Sequence, residues 1–193
     1  MAVIHDLLAA LDPGEIARRV SLPHDEARML YPLRTTTVGT FDEFTGVLAE
    51  YVSYHFTRCV SHGGSLSRAE AAGRAKDILN QQYRRRGGDV TTAFTDARDG
   101  TNGGLRSVLD QLCEVMKAEA VERYITDVFD RYVAPSDWDG KVELIRQFIR
   151  CCGPYLSSSI RADQPERYAA NYRELIRAYC DGLRDASSVF RRL

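Results

Sequence analysis

A chain of 193 residues, 44% hydrophobic and 27% charged, is long enough to bury a core without disulfides or metal. Its composition excludes a disordered, fibrous or low-complexity protein. A formal net charge of −1 excludes a globally basic nucleic-acid binder, so any phosphate contact would need a local patch.

Of the 26 basic residues, only Lys76, Lys117 and Lys141 are lysines. Arginine suits planar bidentate recognition, although a GC-rich coding sequence gives the same bias. The start, Met1-Ala-Val-Ile-His-Asp-Leu-Leu, carries acid where a secretory signal needs base, and no run approaches the ~20 apolar residues of a membrane span. Five cysteines, Cys59, Cys113, Cys151, Cys152 and Cys180, form no paired framework and fit reduced thiols. These features lead us to expect a cytoplasmic protein with no membrane partner.

In chain order, the first signals predict three short helices, over Val3 to Leu11, Glu15 to Val20 and His24 to Leu33. Asp12-Pro13-Gly14-Glu15 supplies a cap, an early proline and an acid for the positive end of the helix dipole. Helices two and three are spaced like a helix-turn-helix, but the exposed end of the third reads His24-Asp25-Glu26. Residues 1–40 hold four arginines against five acids, so charge opposes DNA there. We expect residues 1–34 to form a small helical unit, Thr35 to Val38 an extended connector, and residues 40–193 a helical bundle.

Thr40-Phe-Asp-Glu43 opens the next helix, with Phe44, Leu48, Val52 and Phe56 at helical spacing. Ser67-Arg-Ala-Glu70 opens another, whose weak stripe of small residues predicts close helix approach at Ala69, Ala72 and Gly73. Gly87-Gly88 is a stop. Asp96 to Gly104 reads as a solvated, mobile connector. A long helix follows from Leu105 to Val133, then one started by Ser136-Asp-Trp-Asp139 that is apolar round most of its circumference and is expected to be central. Asp163-Gln-Pro-Glu166 starts the last helix, read as one stripe from Tyr168 to Phe190. The predicted fold is all-α, a compact bundle of about six to eight helices.

Five groups of residues have types suited to chemistry. His55, Cys59 and His62 stack on one helix face at spacings of four and three, all competent zinc ligands. They also continue the apolar stripe of Leu48 and Val52, where cysteine serves as a small hydrophobe. Arg98, Gly103, Gly104 and Arg106 could present N–H groups and charge to an anion or phosphate, without meeting any named phosphate-loop pattern. Arg84, Arg85 and Arg86 could hold a phosphate, or simply complement the negative end of a helix. Tyr168, Tyr172 and Tyr179, with Arg173 and Arg177, could form a partner interface, or the tyrosines could be core. The last is the N-terminal helix pair already described.

No dinucleotide fingerprint, nucleophile elbow or paired Glu-x-x-His appears. The residues therefore point to a non-catalytic interaction or regulatory protein that binds another protein or itself through helical surfaces. The alternatives are a metal- or small-ligand-binding bundle or enzyme centred on His55, Cys59 and His62, with zinc as the metal, and a nucleic-acid-binding regulator using the N-terminal helix pair.

Overall fold

The computed structural model describes residues 2–20, 32–33, 35–60 and 66–185. Nine α-helices carry the regular structure of these residues and no strand occurs among them, so the all-α class is correct. They are α1 (Ala2–Ala10), α2 (Pro13–Val20), α3 (Phe41–His55), α4 (Arg68–Arg84), α5 (Val90–Asp99), α6 (Gly104–Tyr132), α7 (Trp138–Cys152), α8 (Pro165–Ala170) and α9 (Arg173–Asp185). Two units emerge: Met1–Ser21 with Ala120–Leu193, and Leu22–Glu119. The long α6 supplies residues to each. The third helix expected in the N-terminal unit lies almost wholly outside the described residues.

In the second unit the start signals work as read. Thr40 and Glu43 form a reciprocal capping box at α3, and Ser67 and Glu70 repeat it at α4. Past His55 the helix widens into a π-turn over Phe56–Val60. The buried small residues of α4 are Ala71 and Ala75, both 0% exposed, rather than Ala69, Ala72 and Gly73. With small residues all round that helix, spacing alone could not fix which face turns inward.

Gly73 is exposed, and a Cβ added there would meet nothing within 4 Å. Gly73→Ala is therefore expected to stabilise the protein by about 0.5–1 kcal/mol through backbone entropy and helix propensity, read as a higher urea midpoint at unchanged slope.

A Schellman-type closure ends α4. Left-handed Gly87 (φ 79°) lets the Gly88 N–H reach the Tyr83 carbonyl at 3.0 Å and the Gly87 N–H reach that of Arg84 at 3.2 Å. Asp96 to Asp99, expected to be loop, are instead the last turn of α5. Its cap is Asp89, whose carboxylate accepts from the N–H groups of Thr91 and Thr92. The true connector is Gly100–Gly103, where Gly100, Asn102 and Gly103 all have positive φ.

In the first unit, α6 and α7 meet α9 through aromatic edges. Phe148 stands edge-on to Phe129 at 5.1 Å and to Tyr179 at 5.2 Å. Helix α7 is amphipathic rather than apolar all round: Val142, Leu144, Ile145, Phe148, Ile149 and Cys152 are buried, while Glu143, Arg146 and Arg150 are exposed. Its cap is Asp137, one residue later than Ser136.

The expected single last helix is broken. Asn171 takes an extended conformation, and its side-chain oxygen accepts from the Arg173 N–H at 3.2 Å, starting α9 afresh. Asparagine offers the backbone this local alternative to helix. At α8 the residue before the helix is Gln164, with Pro165 in the first turn and no side-chain cap from Asp163. Two tyrosines close off α1: Tyr124 donates to the Ala10 carbonyl at 2.9 Å and Tyr179 to that of Leu11 at 2.6 Å. These carbonyls at the helix end would otherwise lack partners.

Candidate functional site

The feature of the first unit with the strongest claim to function is a groove walled by α1 and α7, about 530 Å³ in volume. The sequence of α1 explains one wall. Leu7 and Leu11 are buried at 0% and 1%, filling its inward face, yet Val3, Ile4 and Leu8 are apolar as well. A helix apolar on more than one flank cannot bury everything against a single neighbour. Val3 stays 45% exposed, and Val3, Ile4 and Leu8 line the groove with Leu144 of α7.

The polar lining is sparse. His5 comes from α1, and Glu143, Gln147 and the exposed thiol of Cys151 come from α7. Hydrogen bonds from Gln147 and Arg146 hold the Glu143 carboxyl below its usual range, so it is ionised at neutral pH. Ser136 and Gly140 complete the opposite end, and between them in sequence stands Trp138, 52% exposed. Among the described residues no helix is long and apolar enough to cross a membrane.

The residues singled out from sequence lie elsewhere. His55 is 0% exposed, its ring 4.7 Å from that of Tyr51 and 6.1 Å from that of Tyr54. Cys59 belongs to the π-turn, but its side chain and the whole of His62 fall outside the described residues. Among the described residues no group of three His, Cys, Asp or Glu could hold a metal. Cys152 and Cys180 are buried in the first unit. Burial pushes both thiols up to about 12.

The anion candidates are committed locally. Arg98 donates to Asp99 at 2.7 Å, and Arg106 faces Asp110 at 3.9 Å. The Asp96 carboxylate accepts from Thr101 and Asn102 in the connector itself, placing negative charge where an anion would sit. Gly103 and Gly104 both have positive φ, which shapes the turn into α6. Arg84, Arg85 and Arg86 are exposed at the end of α4, the negative pole of its dipole.

The tyrosine group divides. Tyr168 is 0% and Tyr179 1% exposed, so both are core, and their rings are withdrawn from any partner surface. The Tyr168 hydroxyl accepts from the Arg161 N–H at 3.1 Å. Tyr172 is half-buried, stacked on Phe129 and bonded to Asp130. Arg173 and Arg177 stay exposed, Arg177 facing Glu122 at 3.9 Å. On α2, Arg18 and Arg19 both engage Glu15 at 2.7 Å rather than standing ready for phosphates.

Sequence reasoning missed the groove. Its available signals were the excess of apolar residues round α1 and a tryptophan placed at the start of α7. No protein family, curated protein or solved structure matches this chain, so its function is argued from its own residues.

Proposed function

We propose that this chain is a non-catalytic interaction protein that binds another protein by taking the apolar face of a partner helix into the groove between α1 and α7. One observation carries the reading: Val3, Ile4, Leu8 and Leu144 line an open groove with few polar groups. Apolar area left in water costs about 25 cal/mol per Å², which a docked helix recovers. Helix-in-groove recognition needs such a floor, and tightly bound interfaces favour aromatic anchors; Trp138, 52% exposed, stands in sequence between the lining residues Ser136 and Gly140. The polar groups present, His5, Glu143 and Gln147, suit a rim that sets orientation.

A photo-crosslinking amino acid at Trp138 tests this, with Asp127, an exposed residue of α6, as control. Expected is a discrete protein adduct from position 138, lost when Ile4 is also changed to glutamate, and none from position 127. No adduct, or equal adducts from both positions, overturns the reading.

A second reading, a metal or small-ligand site at His55, Cys59 and His62, is supported by a buried imidazole immediately before a π-turn that carries Cys59. Such turns recur at functional sites. A native mass spectrum of the protein purified without added metal separates the two. A mass excess of one zinc ion, abolished by His55→Ala with Cys59→Ala, favours the second reading. A bare chain mass, alone or in a protein complex, favours the first.

A further inference from the structure

We infer that the helix taken into the groove is α1 of a second copy of this chain, so that two identical faces dock about a two-fold axis. The inference rests on the docking reading above and names its partner.

The complementary helix face is present on the chain itself. Among the described residues the exposed large apolar side chains are Val3, Phe41 and Trp138. Phe41 and Trp138 are the first residues of their helices, whereas Val3 lies within α1 and is joined there by half-buried Ile4 and Leu8. Leu7 and Leu11 already fill the inward side of α1. Its outward flank is therefore an apolar helix face of the kind that grooves take up. That flank is also one wall of the groove. A single surface thus supplies both helix and groove, which is what a two-fold interface requires.

Length and charge agree with this pairing. The nine residues of α1 span ~14 Å, and the lining runs ~16 Å along α7 from Gly140 to Cys151. A second α1, laid antiparallel to the first, covers it. Two identical faces dock only if they do not set like charges against each other. Helix α1 holds no arginine or lysine, and its one acid, Asp6, lies outside the lining. Glu143, the one acid in the lining, is already paired with Arg146 and bonded to Gln147 on its own helix. His5 of each copy supplies an N–H donor for the other's Glu143, since imidazole donates whether neutral or charged. One short helix crossing buries less than the ~800 Å² per partner of a standard interface, so the dimer is weak and depends on concentration.

Two measurements on the purified protein test this. Sedimentation equilibrium from about 5 to about 500 μM, a range suited to a weak interface, is expected to show monomer passing to dimer. Val3→Glu places a charge on the apolar flank at a position already 45% exposed, so the fold tolerates it. It is expected to weaken association about tenfold or more. The second measurement puts the photo-crosslinking amino acid at position 138 in an equal mixture of heavy-isotope-labelled and unlabelled chains. Expected are peptide pairs joining position 138 to residues 2–10 with one labelled and one unlabelled member, which only contact between chains can give. A monomer throughout the range, a dimer that Val3→Glu leaves intact, or peptide pairs of uniform label alone overturns the inference. If the purified protein stays monomeric while position 138 is cross-linked in cells to a different protein, the second copy is excluded and the docking reading stands. No adduct of either kind removes both.

Discussion

Gly182→Ala is expected to destabilise the protein by about 3 kcal/mol or more and to lower its Tm by roughly 10 °C. The sign is the opposite of what a helix-interior glycine ordinarily gives, since alanine there gains up to about 1 kcal/mol in propensity. At Gly182 that gain is overwhelmed by sterics. The added Cβ would stand 1.6 Å from the carbonyl oxygen of Tyr155 and 2.5 Å from its carbonyl carbon, and both obstacles are backbone. No rotamer change relieves such a clash, so α9 or the turn after α7 must move. Movement there disturbs Tyr179, which sits one turn away and touches Phe148 and Tyr155. Thermal unfolding followed by circular dichroism, with Gly73→Ala measured alongside, gives the comparison. The two substitutions should move Tm in opposite directions, and a Gly182→Ala protein as stable as the parent would show that α9 does not approach Tyr155 so closely.

The asymmetry between these two glycines shows what kind of information the sequence held. Helix starts were legible where the cap is a local pair of side chains, as at Thr40 with Glu43 and Ser67 with Glu70. At α5 the same device uses Asp89 with Thr92, and the helix buries only Ala93 and Ala97, so neither the capping glutamate nor a large apolar stripe announces it. The break at Asn171 was hidden because apolar spacing continues on both sides of it, while one side-chain hydrogen bond decides the conformation. Tyr168 and Tyr179 were readable as core from their spacing, but their hydroxyl partners, the Arg161 N–H and the Leu11 carbonyl, belong to other elements. The groove was the least legible feature. Val3, Leu8 and Leu144 each look like ordinary core residues, and only the meeting of two helices far apart in sequence leaves their flanks open.

The second large effect is expected at Tyr179. Tyr179→Phe should cost about 2 kcal/mol, because it removes a buried 2.6 Å hydrogen bond and leaves the Leu11 carbonyl, in a residue 1% exposed, without its donor. Ring packing against Phe148 and Tyr155 survives the change, so the loss reports the hydroxyl rather than a cavity. The same residue makes the fold sensitive to alkali. Burial raises the Tyr179 phenol above its ordinary value of 10, and burial with the neighbouring Asp130 raises that of Tyr172 to about 12. A group whose folded pKa is raised holds its proton more tightly in the folded state. Its contribution is complete below the unfolded pKa and is lost as pH climbs toward the folded value. For Tyr172 that window runs from pH 10 to about 12, and for Tyr179 it opens at pH 10. The buried thiols of Cys152 and Cys180, raised from 9 to about 12, add to the slope from pH 9 upward. Urea unfolding at pH 8, 10 and 11 should therefore show stability falling steeply at the alkaline end for the parent chain and less steeply for Tyr179→Phe, which has no phenol to titrate there. Equal slopes in the two proteins would mean that the Tyr179 hydroxyl is solvated and that its bond to α1 contributes little.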